Sequence, residues 1–507
     1  VTHDDPRIVI VGSGFSGICA AVKLMEAGFH KLTILERGED VGGTWRDNNY
    51  PGCACDVPAV LYSFSFAPNP DWSRRYCGHD ELFAYLRGVA DRYSLRPHIR
   101  FKTDVTRMSY DVETAQWQVT TGSGEVLIAD VVVNGTGTLS QPSIPRLEGL
   151  SSFTGEVFHS ATWDHAKPLE GRQVAVIGTG ASAIQFVPKI AGIADHVTVF
   201  QRTPPWVMPR DDHEYTGWES QLFRRVPVSQ KLLRWKTYWD FETLARGFLG
   251  KQKVVDAYRR KAEAFIKASI PDDLLRAAVT PDYDPGCKRR LVSNDWYPAL
   301  CRDDVDLVTE RIVEVRPSAV VTADGVEHPT DVIVFGTGFA ATDFLAPMEV
   351  RGLSGVELSE QWREGAATHL GIVAADFPNL WMVMGPNTAL GHNSIVFMIE
   401  QQVHYIVQAL QHLRAKRIPA VRIRPEVMQR SYEEVQRRMG KTVWASGCNS
   451  WYLSDGGRND TLWPATTVEY WWQTRRFRPE DYQVIQPATT GTHTATRSGQ
   501  PQTRDIP

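Results

Sequence analysis

IVIVGSGFSG, residues 8–17, opens the chain, and VAVIGTGASA, residues 174–183, repeats its plan. In each, an apolar run of β character ends on Gly-x-Gly and passes into a helical pattern. In the first turn Gly12 permits the tight bend, Gly14 lets backbone approach a pyrophosphate and Gly17 allows close helix–strand packing. The turn, with Ser13 and Phe15, leads to a helix N-terminus that favours phosphate charge. A lone Gly-x-Gly-x-x-Gly is weak evidence. Here the strand before it, the helix after it, and Glu36 at the end of the run LTILE, 22 residues beyond Gly14, supply the context. Glu36 is placed to accept hydrogen bonds from an unphosphorylated ribose, as in the adenosine of FAD; a solvated strand-end carboxylate is the competing reading.

The second turn has Gly178, Thr179, Gly180, Ala181 and Ser182, with Ala183 where the third glycine often stands. Its companion run HVTVFQRTP ends in Gln201-Arg202 instead of an acid. Arg202 stands 22 residues past Gly180, the offset of Glu36 from Gly14 with the opposite charge. A guanidinium binds a 2′-phosphate that a carboxylate repels, so NADPH is expected over NADH.

ADVVVNGTGTLSQPSIP (129–145) and DVIVFGTGFAATDF (331–344) each place an acid, a short β run and Gly-Thr-Gly in the same order. Both resemble the segments by which two-dinucleotide flavoproteins pass between nucleotide domains, and the internal repeat implies that each domain is left and re-entered. The expected fold is therefore α/β, with two Rossmann-like domains. A discontinuous FAD domain takes residues 1–145 and 380–486, and an NADP domain takes 146–210 and 282–379. Residues 211–281, where KLLRWKTYWDFETLARGFLG and VVDAYRRKAEAFIKASI carry apolar residues at helical spacing, are expected to be an inserted helical subdomain. The Gly- and Pro-rich stretch 42–58 reads as loop. Residues 487–507, polar and without apolar periodicity, read as a disordered tail.

At 507 residues the chain is long enough for two or three domains. A net charge of -4 excludes a polyanion-binding surface as the main feature, and no nucleic-acid partner is expected. No stretch approaches the roughly 18 consecutive apolar residues of a membrane span, and no signal-peptide pattern opens the sequence, so no membrane partner and a cytoplasmic location are expected. The seven cysteines are scattered, which suits a reducing compartment; Cys53 and Cys55 fit neither a redox pair nor a zinc knuckle, and no metal site is expected.

FTGEVFHSATWD (153–164) carries Phe153, Gly155, His159, Trp163 and Asp164 at the spacing Phe-x-Gly-x-x-x-His-x-x-x-Trp-Asp, which resembles the fingerprint of Baeyer–Villiger monooxygenases. By itself this segment has no evident chemistry, and a hinge between domains with a structural hydrogen bond at His159 is the plainer reading. The resemblance spans roughly residues 7 to 480 and implies FAD, NADPH and O2. Its implied activity is conversion of a ketone to an ester or lactone through a C4a-peroxyflavin, with no obligate protein partner; amine or sulfide oxidation is the alternative. GGTW at 42–45 resembles the family segment laid along FAD, which brings in Gly43, Thr44 and Trp45, although Trp45 also reads as core. The FAD set extends to Arg37, Tyr62 and Val105. YDPGCKRRLV (283–292) resembles the family's Lys-Arg pair. The resemblance gives Arg289 the role of stabilising the peroxide with Asp56 as its partner, and gives Lys288, with Arg202 and Thr203, the NADP phosphate. It also puts Leu390 and Gly391 near substrate, Ile395 near flavin and Trp451 over the nicotinamide ribose; packing of a loop is the other reading of Trp451.

Overall fold

The computed structural model describes residues 5–447, 450, 452–454, 457–488 and 503–505. Each glycine turn follows the central strand of a five-stranded parallel sheet. The first sheet joins, in spatial order, Leu380–Met382 (β19), Val131–Asn134 (β7), Ile8–Val11 (β1), Leu32–Leu35 (β2) and Ile99–Arg100 (β3). The second joins Val305–Val308 (β13), His196–Phe200 (β10), Gln173–Ile177 (β9), Val332–Phe335 (β17) and Glu156–His159 (β8). β1, β7 and β17 are buried along their whole length and apolar except for Asn134 at the end of β7, as suits parallel strands covered on both faces. Helix α1 (Phe15–Glu26) follows β1, and α4 (Ala183–Ile190) follows β9.

The two Gly-Thr-Gly crossings run side by side: Ser143 N donates to Gly338 O at 2.9 Å and Ala340 N to Gln141 O at 2.9 Å. The return crossing differs from expectation. Val105–Asp111 (β4), Gln116–Thr121 (β5) and Val126–Ala129 (β6) form an antiparallel sheet that β18 (Glu349–Arg351) joins beside β4. The inner face of that sheet, with Met108, Trp117 and Val119, needs apolar cover, and Leu345, Val350, Leu358 and Phe377 supply it. Glu349–Arg351 therefore pairs with a strand of residues 105–111, ahead of the expected boundary at 379/380.

Four helices, α5 (Gly217–Arg225), α6 (Pro227–Phe248), α7 (Gln252–Ser269) and α8 (Asp273–Val279), fill the insertion. A long helix, Ile395–Lys416, packs on α1. Three details depart from the sequence reading. Thr44–Asp47 (α2) forms one helical turn inside the expected loop, closed by backbone bonds back to Gly42 and Gly43. Glu156–His159 is a strand of the second sheet, paired with Val332–Phe335, instead of a hinge. In the expected disordered tail, Thr503–Asp505 add an antiparallel strand to Tyr482–Ile485, whose free edge offers unpaired backbone groups; the rest of the tail, from residue 489, lies outside the described residues. Cys287 is disulfide-bonded, an exception to the reading of scattered reduced thiols, since sequence spacing does not reveal which cysteines folding brings within bonding reach.

The two turns differ at their third position. A Cβ on Gly17 would stand 1.8 Å from Gly12 O, whereas the second turn already holds the Cβ of Ala183. Gly17→Ala is therefore expected to lower the apparent melting temperature, at a cost of about 1–3 kcal/mol or more. Ala183→Gly, which removes no such clash, should change it by less; thermal melts of the two variants check both.

Candidate active site

Above the C-terminal ends of β1 and β2 lies a cleft, partly open to solvent. Gly12, Ser13, Gly14, Phe15, Glu36, Arg37, Gly43, Thr44, Trp45, Tyr62, Val105 and Ile395 line it, so the structure brings these sequence-selected residues to one place. Gly17 lies beneath, at the α1–turn contact. Gly14 caps α1 without any side-chain hydrogen bond, which leaves the helix N-terminus to a ligand anion. Trp45 is buried and donates from Nε1 to Tyr62 Oη at 3.3 Å, so it serves both readings, core residue and cleft wall.

Glu36 is buried, and its carboxylate is already engaged. Oε2 accepts from Ser13 N (2.9 Å) and Ser13 Oγ (2.7 Å), and Oε1 from Gly38 N (2.8 Å) and Arg46 Nη1 (2.7 Å). Burial works against its charge, but Arg46, Ser13 and Gly38 outweigh burial and hold the carboxyl below its ordinary range. Those four bonds use about all the lone-pair sites a carboxylate has. A ribose hydroxyl must therefore take over a place held by Ser13 Oγ or Arg46. Sequence reasoning missed Arg46, which also meets Asp47; the signal was a cation directly after GGTW, ten residues from Glu36.

Arg289 Nη2 and Asp56 Oδ2 lie 2.7 Å apart, with Nε at 3.2 Å from the same oxygen. The pair spans the two nucleotide units, since Asp56 lies in the loop after GGTW and Arg289 in the segment after the helical insertion. Asp56 raises the Arg289 guanidinium further above its ordinary value, and the guanidinium overrides burial to keep Asp56 below the usual carboxylate range. The same two charges act on Tyr62, a wall of the cleft, whose phenol burial pushes up.

At the second turn, Ser182 precedes α4 without a side-chain cap, and Thr179 Oγ1 reaches Thr203 O at 3.3 Å. Arg202 is exposed and, among the described residues, forms no ion pair. Lys288, 4.9 Å from the ring centre of Tyr283, has its ammonium held below its ordinary value by burial first and by Arg202 second. Two cations thus converge, with Asp282 only a weaker influence on Lys288, an arrangement that suits a phosphate.

The fingerprint residues lie behind this turn. His159 is buried; its Nδ1 accepts from Ala161 N at 3.1 Å, and burial lowers its pKa. Trp163 packs on Phe158 and Phe186, 5.2 and 5.3 Å between ring centres. Asp164 Oδ1 accepts from Ala166 N in a turn. Phe153 joins the core under the second sheet, and a Cβ on Gly155 would strike Asp331 O at 2.1 Å.

Leu390 and Gly391 stand in the loop before Ile395. A Cβ on Gly391 would meet Trp444 at 3.3 Å and Phe248 at 3.4 Å, and one on Gly286, three residues before Arg289, would meet Phe248 at 2.9 Å. Phe248 and Trp444, stacked 5.8 Å apart, therefore form an aromatic wall between the two loops. Neither was selected from sequence, because each comes from a distant segment read as plain helix or loop. Trp451 lies outside the described residues. His392 is buried with Nε2 3.6 Å from Glu242 Oε2. Glu242, from α6, also accepts from Asn393 Nδ2 (2.7 Å), Thr467 N (2.8 Å) and Thr467 Oγ1 (2.7 Å). Burial opposes its charge, but these donors and His392 prevail and hold its pKa at about 2.

The family model described as flavin-binding monooxygenase-like matches residues 5–241. A Baeyer–Villiger monooxygenase of Streptomyces coelicolor is 48% identical over 96% of this chain and 94% of its own length, and one of Pseudomonas aeruginosa is 42% identical over 94% and 91%. Among solved structures, OTEMO in complex with FAD and NADP superposes with a TM-score of 0.85 at 28% identity, covering 93% of this chain and 97% of that one. An oxidised steroid monooxygenase bound to NADP gives 0.83 at 29% identity, with the same coverage.

Glu242 supplies a test of the loop's anchorage. Its folded pKa lies below the ordinary 4.5, so its stabilising contribution is present above about pH 4.5 and is lost as pH falls toward about 2. Glu242→Gln should cost about 1–3 kcal/mol at neutral pH, read as a lower apparent melting temperature. The gap to the parent should narrow across that acid window.

Proposed function

The chain belongs to the Baeyer–Villiger monooxygenase family, and from that premise we propose that it oxidises a ketone to an ester or lactone with NADPH and O2, holding FAD in the cleft and NADPH at the second turn. The observation that carries this reading is the Arg289–Asp56 pair, whose charges act on Tyr62 in the wall of the cleft. FAD bound there supplies oxygen activation, and NADPH supplies the hydride that reduces it. Everything else is work for the chain.

The residues present fit both groups. Gly12, Gly14 and the uncapped start of α1 accommodate a pyrophosphate, and Glu36, with Ser13 and Arg46 as exchangeable partners, receives the adenosine ribose. Arg202, Lys288 and Thr203 bind the 2′-phosphate that distinguishes NADPH. Arg289 stays protonated at any working pH, so it offers a fixed positive charge to the negative charge that develops on transferred oxygen, without giving up its proton. Asp56 aims that guanidinium and keeps it in place. Leu390 and Gly391, backed by Phe248 and Trp444, exclude water from the carbonyl's side of the cleft and set the shape a ketone must fit. Amine or sulfide oxidation has no observation in its favour here.

The same reading assigns residues 1–145 with about 340–486 to the FAD domain, 146–210 with 282 to about 340 to the NADP domain, and 211–281 to the insertion. It also makes the protein cytoplasmic, with no obligate protein partner; among the described residues no helix is long and apolar enough to cross a membrane.

Arg202→Ala is expected to raise the KM for NADPH about tenfold or more, the scale of one lost charge-assisted contact, and to leave that for NADH almost unchanged. Equal damage to both cofactors would make Arg202 structural. Arg289→Ala is expected to cut ester formation about 100-fold while NADPH oxidation persists, with activated oxygen lost as hydrogen peroxide. Asp56→Ala should give a milder loss. Ester formed per NADPH consumed, by gas chromatography on an accepted ketone, decides the matter; wild-type coupling in Arg289→Ala would sink the assignment.

A further inference from the structure

Helix α6 buries Gln230, Thr237, Phe241, Glu242, Ala245 and Phe248. On its opposite face Val228, Leu232, Trp235 and Trp239, 57%, 61%, 64% and 41% exposed, follow at intervals of four, three and four residues, which is one stripe of a helix. Another exposed indole, Trp218 on α5, precedes the stripe. The helix Thr467–Thr474 begins against α6, where Tyr238 Oη and Thr467 Oγ1 lie 2.8 Å apart, and repeats the pattern: Val468, Trp471 and Trp472 are exposed, and the Arg475 guanidinium stacks on Trp472. A run of exposed tryptophan on neighbouring helices marks an interaction surface.

Charge selects the occupant. On α6 the exposed charges are Lys231, Lys236 and Arg246 against Asp240, and Arg225 precedes the helix. Among the described residues Arg225, Lys231 and Arg246 pair with no carboxylate. Two copies packed face to face about a two-fold axis would oppose these like charges, whereas an anionic surface neutralises them. Indole rings and the long stems of Lys and Arg suit the headgroup layer of a bilayer. We propose that this face of α6 and the helix Thr467–Thr474 docks the enzyme on anionic lipid bilayers, lying on the surface and not crossing it. The expectation of no membrane partner rested on the lack of a spanning segment, which a peripheral face does not need.

The test is co-sedimentation of the full-length holoenzyme with vesicles of phosphatidylcholine alone and of phosphatidylcholine mixed with phosphatidylglycerol. The parent should pellet with the anionic vesicles, weakly or not at all with the neutral ones, and less as salt rises. The double variant Trp235→Ser/Trp239→Ser should bind about tenfold more weakly while its NADPH oxidation in solution stays at the parent level. No binding to anionic vesicles, or equal binding by the variant, overturns the proposal. So does self-association of the parent in sedimentation velocity that the variant abolishes without any vesicle binding, which would give the face to a second copy of the chain.

Discussion

Both cofactor positions depend on one steric constraint, the approach of two backbones too close for a side chain. Gly12 and Gly178 take left-handed backbone, and a Cβ on either would stand 2.8 Å from Gly135 O or 2.7 Å from Gly336 O. Each glycine turn is therefore pressed against the Gly-Thr-Gly by which the chain leaves that same domain. The strand feeding the turn and the strand feeding the exit are sheet neighbours, β1 with β7 and β9 with β17. The start of each nucleotide site and the exit from its domain are thus one packed unit, repeated twice, and the two exits are zipped together by backbone bonds. That arrangement ties each glycine turn to the exit from its own sheet.

Across the junction the contacts are polar. Gln185 of α4 accepts from Tyr50 Oη at 2.9 Å and donates to Ala54 O at 3.0 Å, and the Arg289–Asp56 pair closes the same seam. An ion pair set partly out of water returns little net stability, because desolvation offsets the attraction. Its worth here is geometric: a guanidinium whose Nη2 and Nε both meet one carboxylate oxygen keeps its orientation.

Much of this was legible in the sequence because backbone constraints leave residue-level marks. Glycine at Gly12 and Gly178, the acid at Glu36 and the cation at Arg202 follow from local rules of chain geometry and charge, and the cleft residues chosen from them do converge. What stayed hidden depends on side chains meeting across long separations. Arg46 hides because nothing local distinguishes a cation that folds back onto Glu36. Phe248 and Trp444 hide because aromatic residues at helical spacing look like core. The pairing of β18 with β4 was not read from sequence because the need of Met108 and Trp117 for cover is a property of the sheet, and no motif beside β18 announces it.

The helical insertion is where the substrate side of the site acquires its own character. α6 reaches the active site at three levels. Arg234 Nη1 donates to the carbonyls of Val60 (2.7 Å) and Ser63 (2.9 Å), which flank the cleft residue Tyr62. Glu242 gathers Asn393 and Thr467, and Phe248 closes the gap between Gly391 and Gly286. These contacts bind no cofactor atom, and the nucleotide turns could keep their geometry with a different helix in place. On the proposed reading the two glycine units govern which cofactors bind, while the register and side chains of α6 govern what lies opposite them. On that same proposal a change of ketone preference is to be sought at Phe248, Leu390 and Trp444, with the charge on Glu242 preserved so that the loop keeps its anchorage.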